Sequence, residues 1–298
     1  MGSSNRKFHS VIKNRNAYFL IAPNLFFLFM FLIAPFVWIL FLSFQKGGIL
    51  DPKVFVGLAN YLDLFKNKLL LKSILNTLKY TVTVIPAVFI IGMVVALLLN
   101  RIKKFRNFFR TLLFIPLLSS IVVAAIIWRY LVYPEYGPVS KILEFLHIGS
   151  PNWFGDAKIV IFTIVLVELW RGLPFYIVTF LAGLQSVPQE MVEASYIDGA
   201  NYVQSLFHVV FPSMKPVLTF CLVMATIWAL QLFDSVYVLT RGGPSSASST
   251  IVWSIYENIF FFNRVGRGAT MSVVLILLIA LMTFLNLKVT RFQEEQIT

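Results

Sequence analysis

The side chains of this sequence that could do chemistry fall into three groups. Glu168 and Arg171 stand three positions apart inside an apolar run, the spacing at which two side chains pair on one face of a helix. Gln231 and Asp234 repeat that spacing in a second apolar run. A carboxamide placed there suits a hydroxyl-rich ligand or a hydrogen bond between helices, because an unpaired polar group in lipid is costly. The third group is Glu190, Glu193 and Asp198, three of the chain's 13 acids within nine positions. None of these groups is arranged for bond breaking. His9, His147 and His208 are scattered, no HExxH or GxSxG motif occurs, and no GxxxxGK[ST] phosphate loop is present. The chemistry on offer is pairing, ligand contact and docking, with no metal-ligand set.

The elements that must position these residues are membrane helices. Of 298 residues, 58% are hydrophobic and the mean hydropathy is +0.82, well above the roughly 45–50% apolar content of soluble domains. The net charge of +12 is dispersed among apolar segments rather than clustered on a soluble face, which excludes nucleic acid and points to membrane lipid. The one cysteine, Cys221, excludes an internal disulfide and reads as packing.

Six spans are expected. The first runs from Tyr18 to Phe44, too long for the ~7–15-residue core of a cleaved signal peptide, with Pro23 in its first turn and a kink at Pro35. A mixed stretch from Gln45 to Lys79 follows, with a short surface helix at Asn60 to Phe65. The remaining spans cover Tyr80 to Leu99, Thr111 to Val132, Ile159 to Leu181, Val217 to Leu239 and Ala269 to Val289. The Tyr133 to Ala157 and Thr240 to Gly268 segments read as loops. Two regions result, 1–79 and a core of 80–298. The short loop with Arg101, Lys103, Lys104, Arg106 and Arg110 and the basic start with Arg6, Lys7, Lys13 and Arg15 place both termini in the cytoplasm. Lys and Arg counted over the whole chain do not decide it, with 12 on that side and 13 elsewhere, because the first outer loop is lysine-rich.

The acidic group lies in the polar stretch 185–216, on the cytoplasmic side of this topology. Val187-Pro188-Gln189-Glu190 reads as a helix start and Gly199 as its stop. Asn201 with Gln204 has capping-box spacing for a second helix, whose Val203, Leu206, Phe207 and Val210 form one apolar face. A hairpin lying on the membrane is the plain alternative. Such helices carry Lys and Arg on the polar face, whereas this stretch carries Glu190, Glu193 and Asp198 and no base before Lys215. The charge sign favours a protein partner, and small residues at Ala194, Ser195, Gly199 and Ala200 give the docking face a narrow surface.

Glu193-Ala194-Ser195-Tyr196-Ile197-Asp198-Gly199, with Pro212 downstream, resembles the Glu-Ala-Ala, three residues, Gly signature of permease subunits of ATP-binding-cassette importers. Leu181 to Gln185 with Pro188, Ile197 to Ala200, Phe233-Asp234 and Leu239 to Pro244 are similar to the carbohydrate-uptake branch, whose core is MetI-like. The resemblance covers Tyr80 to the end. It implies an all-α polytopic fold with six membrane helices and a cytoplasmic coupling loop, 185–216, between helices 4 and 5. Glu190, Glu193, Ala194, Ser195, Asp198, Gly199, Ala200 and Pro212 are then the ATPase-coupling residues. It further implies a multi-pass protein of the bacterial cytoplasmic membrane that imports sugar, oligosaccharide in particular, with glycerol-phosphate diesters a second class in the same branch.

The implied partners are a second, similar permease, two ATPase subunits that hold the ATP and magnesium, and an extracytoplasmic solute-binding protein. The chain itself carries no cofactor and is no enzyme. Glu168, Trp170, Arg171, Tyr176, Gln231 and Asp234 are the candidates for the substrate pathway, with aromatic rings available to stack on sugar. Each has a structural reading beside it: an ion pair, core packing or a helix-to-helix bond. A secondary transporter or channel working without ATP is the competing class, against which stands the lack of a clear repeat.

Overall fold

The computed structural model describes residues 19–102, 104–147 and 149–292. The basic start with Arg6, Lys7, Lys13 and Arg15, Lys103, and the tail beyond 292 lie outside the described residues. Helices carry the fold, with a two-stranded hairpin as the sheet component among those residues.

The first helix, α1 (Phe19–Ser43), is apolar on all sides and 6% buried over its most apolar stretch. One wide turn interrupts it, where the Ala34 N–H reaches Phe29 O, just ahead of Pro35. The missing donor of Pro35 is thus absorbed by a local rewinding. A hairpin follows, β1 (Gln45–Lys46) against β2 (Val54–Phe55), then α2 (Ala59–Lys66). The expected surface helix is therefore present.

The helix α3 (Lys68–Arg101) is 34 residues long, a full three turns longer at its start than the expected second span. Asn67 caps it, its Oδ1 accepting from the Leu69 and Leu70 N–H groups at 3.0 and 3.3 Å. Lysines 68, 72 and 79 disguise the added turns, while Ser73, Asn76 and Thr77 between them are buried. The expected boundary at 79/80 falls inside this continuous helix.

The expected third span is bent. α4 (Arg106–Leu118) and α5 (Ile121–Leu131) meet at 97° across Ser119 and Ser120. Pro116 lies inside the last turn of α4. The loop after it contains a short helix, α6 (Pro138–Phe145). Next come α7 (Val160–Ser186) and the polar stretch, folded as α8 (Gln189–Ile197) and α9 (Tyr202–Ser213).

The helix α10 (Lys215–Leu230) meets α9 at 73° and stops nine residues short of the expected Leu239: Gln231 to Phe233 break the helix, and a wide turn at Val236–Thr240 resumes it. A further helix, α11 (Ile251–Phe261), lies inside the expected loop, and α12 (Val265–Phe292) closes the chain. Four helices are long and apolar enough to cross a membrane alone, and up to six spans result if each bent pair counts as one.

The core lies between α3 and α7. Tyr80, Val84, Val88, Met93 and Ala96 of α3 pack on Val160, Ile164, Tyr176, Ile177, Phe180 and Leu181 of α7, joined by Cys221 and Ala225 of α10. Gly92 permits this approach, since a Cβ there would stand 3.1 Å from the Phe180 ring. At the other side Thr270 Oγ1 of α12 donates to Ser43 O at 3.1 Å, tying α1 to the bundle.

Candidate functional site

The polar stretch is built by local rules. Pro188 precedes the first residue of α8, and Glu190 lies in its first turn beside the free N–H groups. The helix ends in a Schellman motif, with Ala200 N–H to Ser195 O at 2.9 Å and Gly199 N–H to Tyr196 O at 3.1 Å. Gly199 takes φ +87°, which a side chain would strain. Both halves of the capping box form: Gln204 N–H to Asn201 Oδ1 at 2.9 Å and Asn201 N–H to Gln204 Oε1 at 2.8 Å.

The joint between α8 and α9 is a pair of buried hydroxyls. Ser195 Oγ and Ser205 Oγ lie 2.7 Å apart, and Ser195 Oγ also donates to Val192 O at 2.7 Å. Ser195 is therefore a hinge pin between the two helices rather than part of an open docking surface. Ala200 is half-buried, as is Pro212.

Helical spacing divides α8 into two faces. Gln189, Val192 and Tyr196 line a cavity of about 480 Å³ together with Leu97 of α3, Leu184 of α7 and Leu206 of α9. Glu190, Glu193, Ala194 and Ile197 recur at i, i+3, i+4 and i+7 on the outward face, all exposed. Ile197 is 86% exposed at its centre. Glu193 Oε1 accepts from Gln189 Nε2 at 2.6 Å, which holds the carboxylate against its own helix. Asp198 is exposed beside Gly199.

The expected apolar face of α9 is split. Leu206 and Val210 turn inward, while Val203 and Phe207 are 58% and 59% exposed. The cause is a wide turn at Leu206–Val210, where the Phe211 N–H reaches Leu206 O and shifts the phase of the helix.

Two contacts seat the pair on the bundle. The Arg101 guanidinium at the end of α3 lies 4.6 Å from the centre of the Tyr202 ring. Gly183 of α7 makes room for the bend between α9 and α10, since a Cβ there would come within 2.8 Å of Met214 Cε. These contacts join α8 and α9 to α3, α7 and α10. Neither Tyr202 nor Met214 stood out in the sequence; an aromatic one residue after a capping Asn was the available signal.

The pathway candidates separate. Glu168 and Arg171 pair at 3.2 Å on one face of α7, and the other Glu168 oxygen accepts from the Ser235 hydroxyl of the broken segment. Arg171 Nε is buried without an acceptor. Glu168, Gly172 and Tyr176 line a narrow cleft of about 60 Å³ with Tyr80 of α3 and Trp228 of α10. Tyr80, Trp228 and Ser235 were not among the sequence candidates: Tyr80 and Ser235 lay at or near an expected span end, and Trp228, in the middle of the expected fifth span, had no polar neighbour to single it out.

Tyr176 is buried, packed against Phe175 and Trp228 at ring separations of 5.3 and 5.9 Å. Trp170 meets Trp128 edge-on at 6.2 Å. Gln231 and Asp234 do not share a helix face: Gln231 ends α10 and Asp234 starts the next helical segment beyond the break. Both are exposed.

Comparison with known proteins agrees with this architecture. Residues 88–294 match the family model described as the binding-protein-dependent transport system inner membrane component. The chain is 33% identical over 290 residues to the trehalose/maltose transport system permease protein MalF of Thermococcus litoralis, covering 96% of this chain and 98% of that one. It is 34% identical to the arabinooligosaccharides transport system permease protein AraP of Bacillus subtilis, covering 93% and 89%. Among solved structures it resembles a chain of a bacterial ABC transporter involved in the import of the acidic polysaccharide alginate, with TM-score 0.82, 18% identity and 96% and 98% coverage. That transporter in complex with an alginate pentasaccharide-bound periplasmic protein gives TM-score 0.80 at 17% identity. With its membrane helices and its matched core, the chain belongs to the family of inner membrane components of binding-protein-dependent transport systems.

Proposed function

We propose that the chain is one of two permease subunits of an ATP-driven importer of sugars, oligosaccharides in particular, and that α8 and α9 are its coupling element. The observation that carries the reading is the outward face of α8. Glu190, Glu193, Ala194 and Ile197 stand exposed on a short helix locked to its neighbour by the Ser195–Ser205 pair. An exposed apolar residue ringed by acids on a pinned helix fits a groove with basic walls.

In this reading both termini, α8 and α9 face the cytoplasm, and each bent pair counts as one span, giving six. Two ATPase subunits bind ATP and magnesium and move α8. The second permease completes the pathway, and a solute-binding protein delivers the sugar from outside. Glu190, Glu193, Ala194, Asp198 and Gly199 make the ATPase contact, Ser195 pins the joint, and Ala200 and Pro212 shape the turns behind it. The sugar class is supported by the names of the similar permeases, which include transporters of trehalose/maltose and arabinooligosaccharides. The cleft at Glu168 and Tyr176, with Trp170, Arg171, Gln231 and Asp234 about it, is the proposed pathway wall.

Affinity purification of the tagged chain in mild detergent, with identification of co-eluting proteins, tests the reading. A cassette ATPase and a second permease are expected in the eluate. Uptake that persists on dissipating ATP while following an ion gradient would overturn it.

A further inference from the structure

The cavity behind α8 has a lining that neither the docking face nor the pathway cleft uses. It measures about 480 Å³, a size typical of small-molecule sites. Its walls come from the ends of α3 and α7 on one side and from α8 and α9 on the other. None of its twelve lining residues is charged, although Glu190, Glu193 and Asp198 stand exposed on the same pair of helices.

The polar groups of the lining converge. Gln185 at the end of α7 and Gln189, Tyr196 and Tyr202 opposite it place two carboxamides and two phenols about one space, with Leu184, Val192 and Leu206 as an apolar floor. The Gln185 carboxamide and both tyrosine hydroxyls have no hydrogen-bond partner among the described residues. Gln189 is tied through Nε2 to Glu193, which leaves its Oε1 to accept. Tyr196 and Tyr202 are 45% and 44% exposed, so neither ring is sealed off from a ligand. The charged groups that touch the lining do so from outside it, Glu193 on Gln189 and Arg101 over the Tyr202 ring.

We propose that this cavity binds an uncharged sugar on the coupling side of the chain, and that the bound sugar slows ATP hydrolysis. Each carboxamide offers donors and an acceptor, and each phenol offers both in one group, which matches the hydroxyls of a sugar. The tyrosine rings and the aliphatic floor receive its apolar faces. A nucleotide, a sugar phosphate or another anion is disfavoured, because no cation lines the space to replace the water it would lose. A lipid chain is disfavoured by the carboxamide and hydroxyls it would bury without partners. The inference rests on the importer reading above, in which this end faces the cytoplasm and the ATPases move α8. The sugar that reaches the cavity is then the one already imported. A ligand touching both Gln185 of α7 and Tyr196 of α8 binds best the arrangement that holds those walls at this separation, and it biases the coupling element against other arrangements.

The test uses the complete importer in proteoliposomes, with ATP inside and its sugar-loaded solute-binding protein outside, so that only complexes with the coupling element inward respond. Maltose, trehalose or arabinobiose is sealed inside at rising concentration, with glucose 6-phosphate as the charged control, and phosphate release is followed. Each rate is read against the same variant's rate without lumenal sugar. At least one of the three neutral sugars is expected to inhibit the wild type saturably, and glucose 6-phosphate to leave it unaffected. Gln185→Leu with Tyr196→Phe, which removes the free hydrogen-bonding groups at nearly constant volume, is expected to raise the half-inhibiting concentration roughly tenfold. Val192→Phe, which fills the floor, is expected to remove the inhibition. A half-inhibiting concentration within about twofold of wild type in both variants places the sugar elsewhere on the complex and overturns the site. Equal inhibition by glucose 6-phosphate overturns the assigned ligand class. Stimulation by the external solute-binding protein without inhibition by any of the three lumenal sugars refutes the cavity alone. A complex that the solute-binding protein does not stimulate refutes the importer reading itself, and the proposal falls with it.

Discussion

Gly199 offers a substitution pair that separates docking from folding. Its φ of +87° lies in the left-handed region, and a Cβ added there meets nothing within 4 Å in this chain. Alanine at this position therefore carries backbone strain alone, about 1–2 kcal/mol. If all of it fell on the Schellman turn, the population of the capped α8 end would shift by a factor of about 5–30. The Ser195–Ser205 bond and the Asn201 capping box stand on either side of that turn and resist the loss. Arginine adds the same strain and a long cation projecting into space that is empty in the isolated chain. If that space is filled by an ATPase groove, Gly199→Arg must fail where Gly199→Ala survives. The assay is co-purification of the ATPase with the membrane-inserted permease, followed by sugar uptake in proteoliposomes. Gly199→Ala is expected to keep the ATPase and lose uptake by no more than its strain allows; Gly199→Arg is expected to insert normally and lose the ATPase. Equal behaviour of the two variants would refute docking at this surface, since strain would then account for both.

Further expectations follow from the same geometry. Ser195→Ala leaves the Ser205 hydroxyl buried without its partner, a loss of about 1–3 kcal/mol, and the double variant with Ser205→Ala is expected to recover part of the lost uptake; a double variant worse than either single one, at equal membrane yield, contradicts the joint. Glu168→Gln retains an acceptor for Ser235 while Glu168→Ala strands both Ser235 and Arg171, so assembled complex measured by size-exclusion chromatography should fall by more for Ala, by about 1–3 kcal/mol of stability. Comparable yields would show that the pair does not hold α7 to the broken segment. Gln231→Leu removes an exposed carboxamide with no structural load, so assembly is expected to be unchanged while sugar-stimulated ATP hydrolysis drops; unchanged hydrolysis removes Gln231 from the pathway.

What could be read from the sequence was local in its physics. The Gly199 stop and the Asn201–Gln204 box are fixed by residues within a few positions, and both formed as their types require. The wide turn at Leu206–Val210 has no Pro or Gly to announce it, so the inward face of α9 was misassigned by its phase. The break after Leu230 is equally silent, because Gln231-Leu232-Phe233 holds no Pro or Gly to interrupt a helix. It made Gln231 and Asp234 look like neighbours on one face. The sharp 97° corner at Ser119 and Ser120 was likewise missed, since Thr111 to Val132 reads as one apolar run. Ser195 was read as a small docking residue, and its burial comes from a contact ten positions away.

The longest misreading, the lysine-dotted stretch before Tyr80, has its explanation in the break after Leu230. α10 has 16 residues, a rise of about 24 Å, less than the ~30 Å hydrocarbon thickness. The backbone that continues it is irregular, and its buried polar groups need partners from the surrounding protein. The protein that meets it is the added length of α3. Asn76 Nδ2 donates to Ser246 O and Ser249 O, both at 3.0 Å. Thr77 Oγ1 accepts from the Ile251 N–H at 2.9 Å, and Lys72 Nζ reaches Ser245 O at 2.7 Å. Within the segment itself Thr250 Oγ1 donates to Leu232 O at 2.8 Å, closing the broken end of α10. The polar residues that made 68–79 look like a loop are thus the groups a re-entrant chain needs from its neighbour. Their row along one face of a helix is the reason that helix begins three turns early.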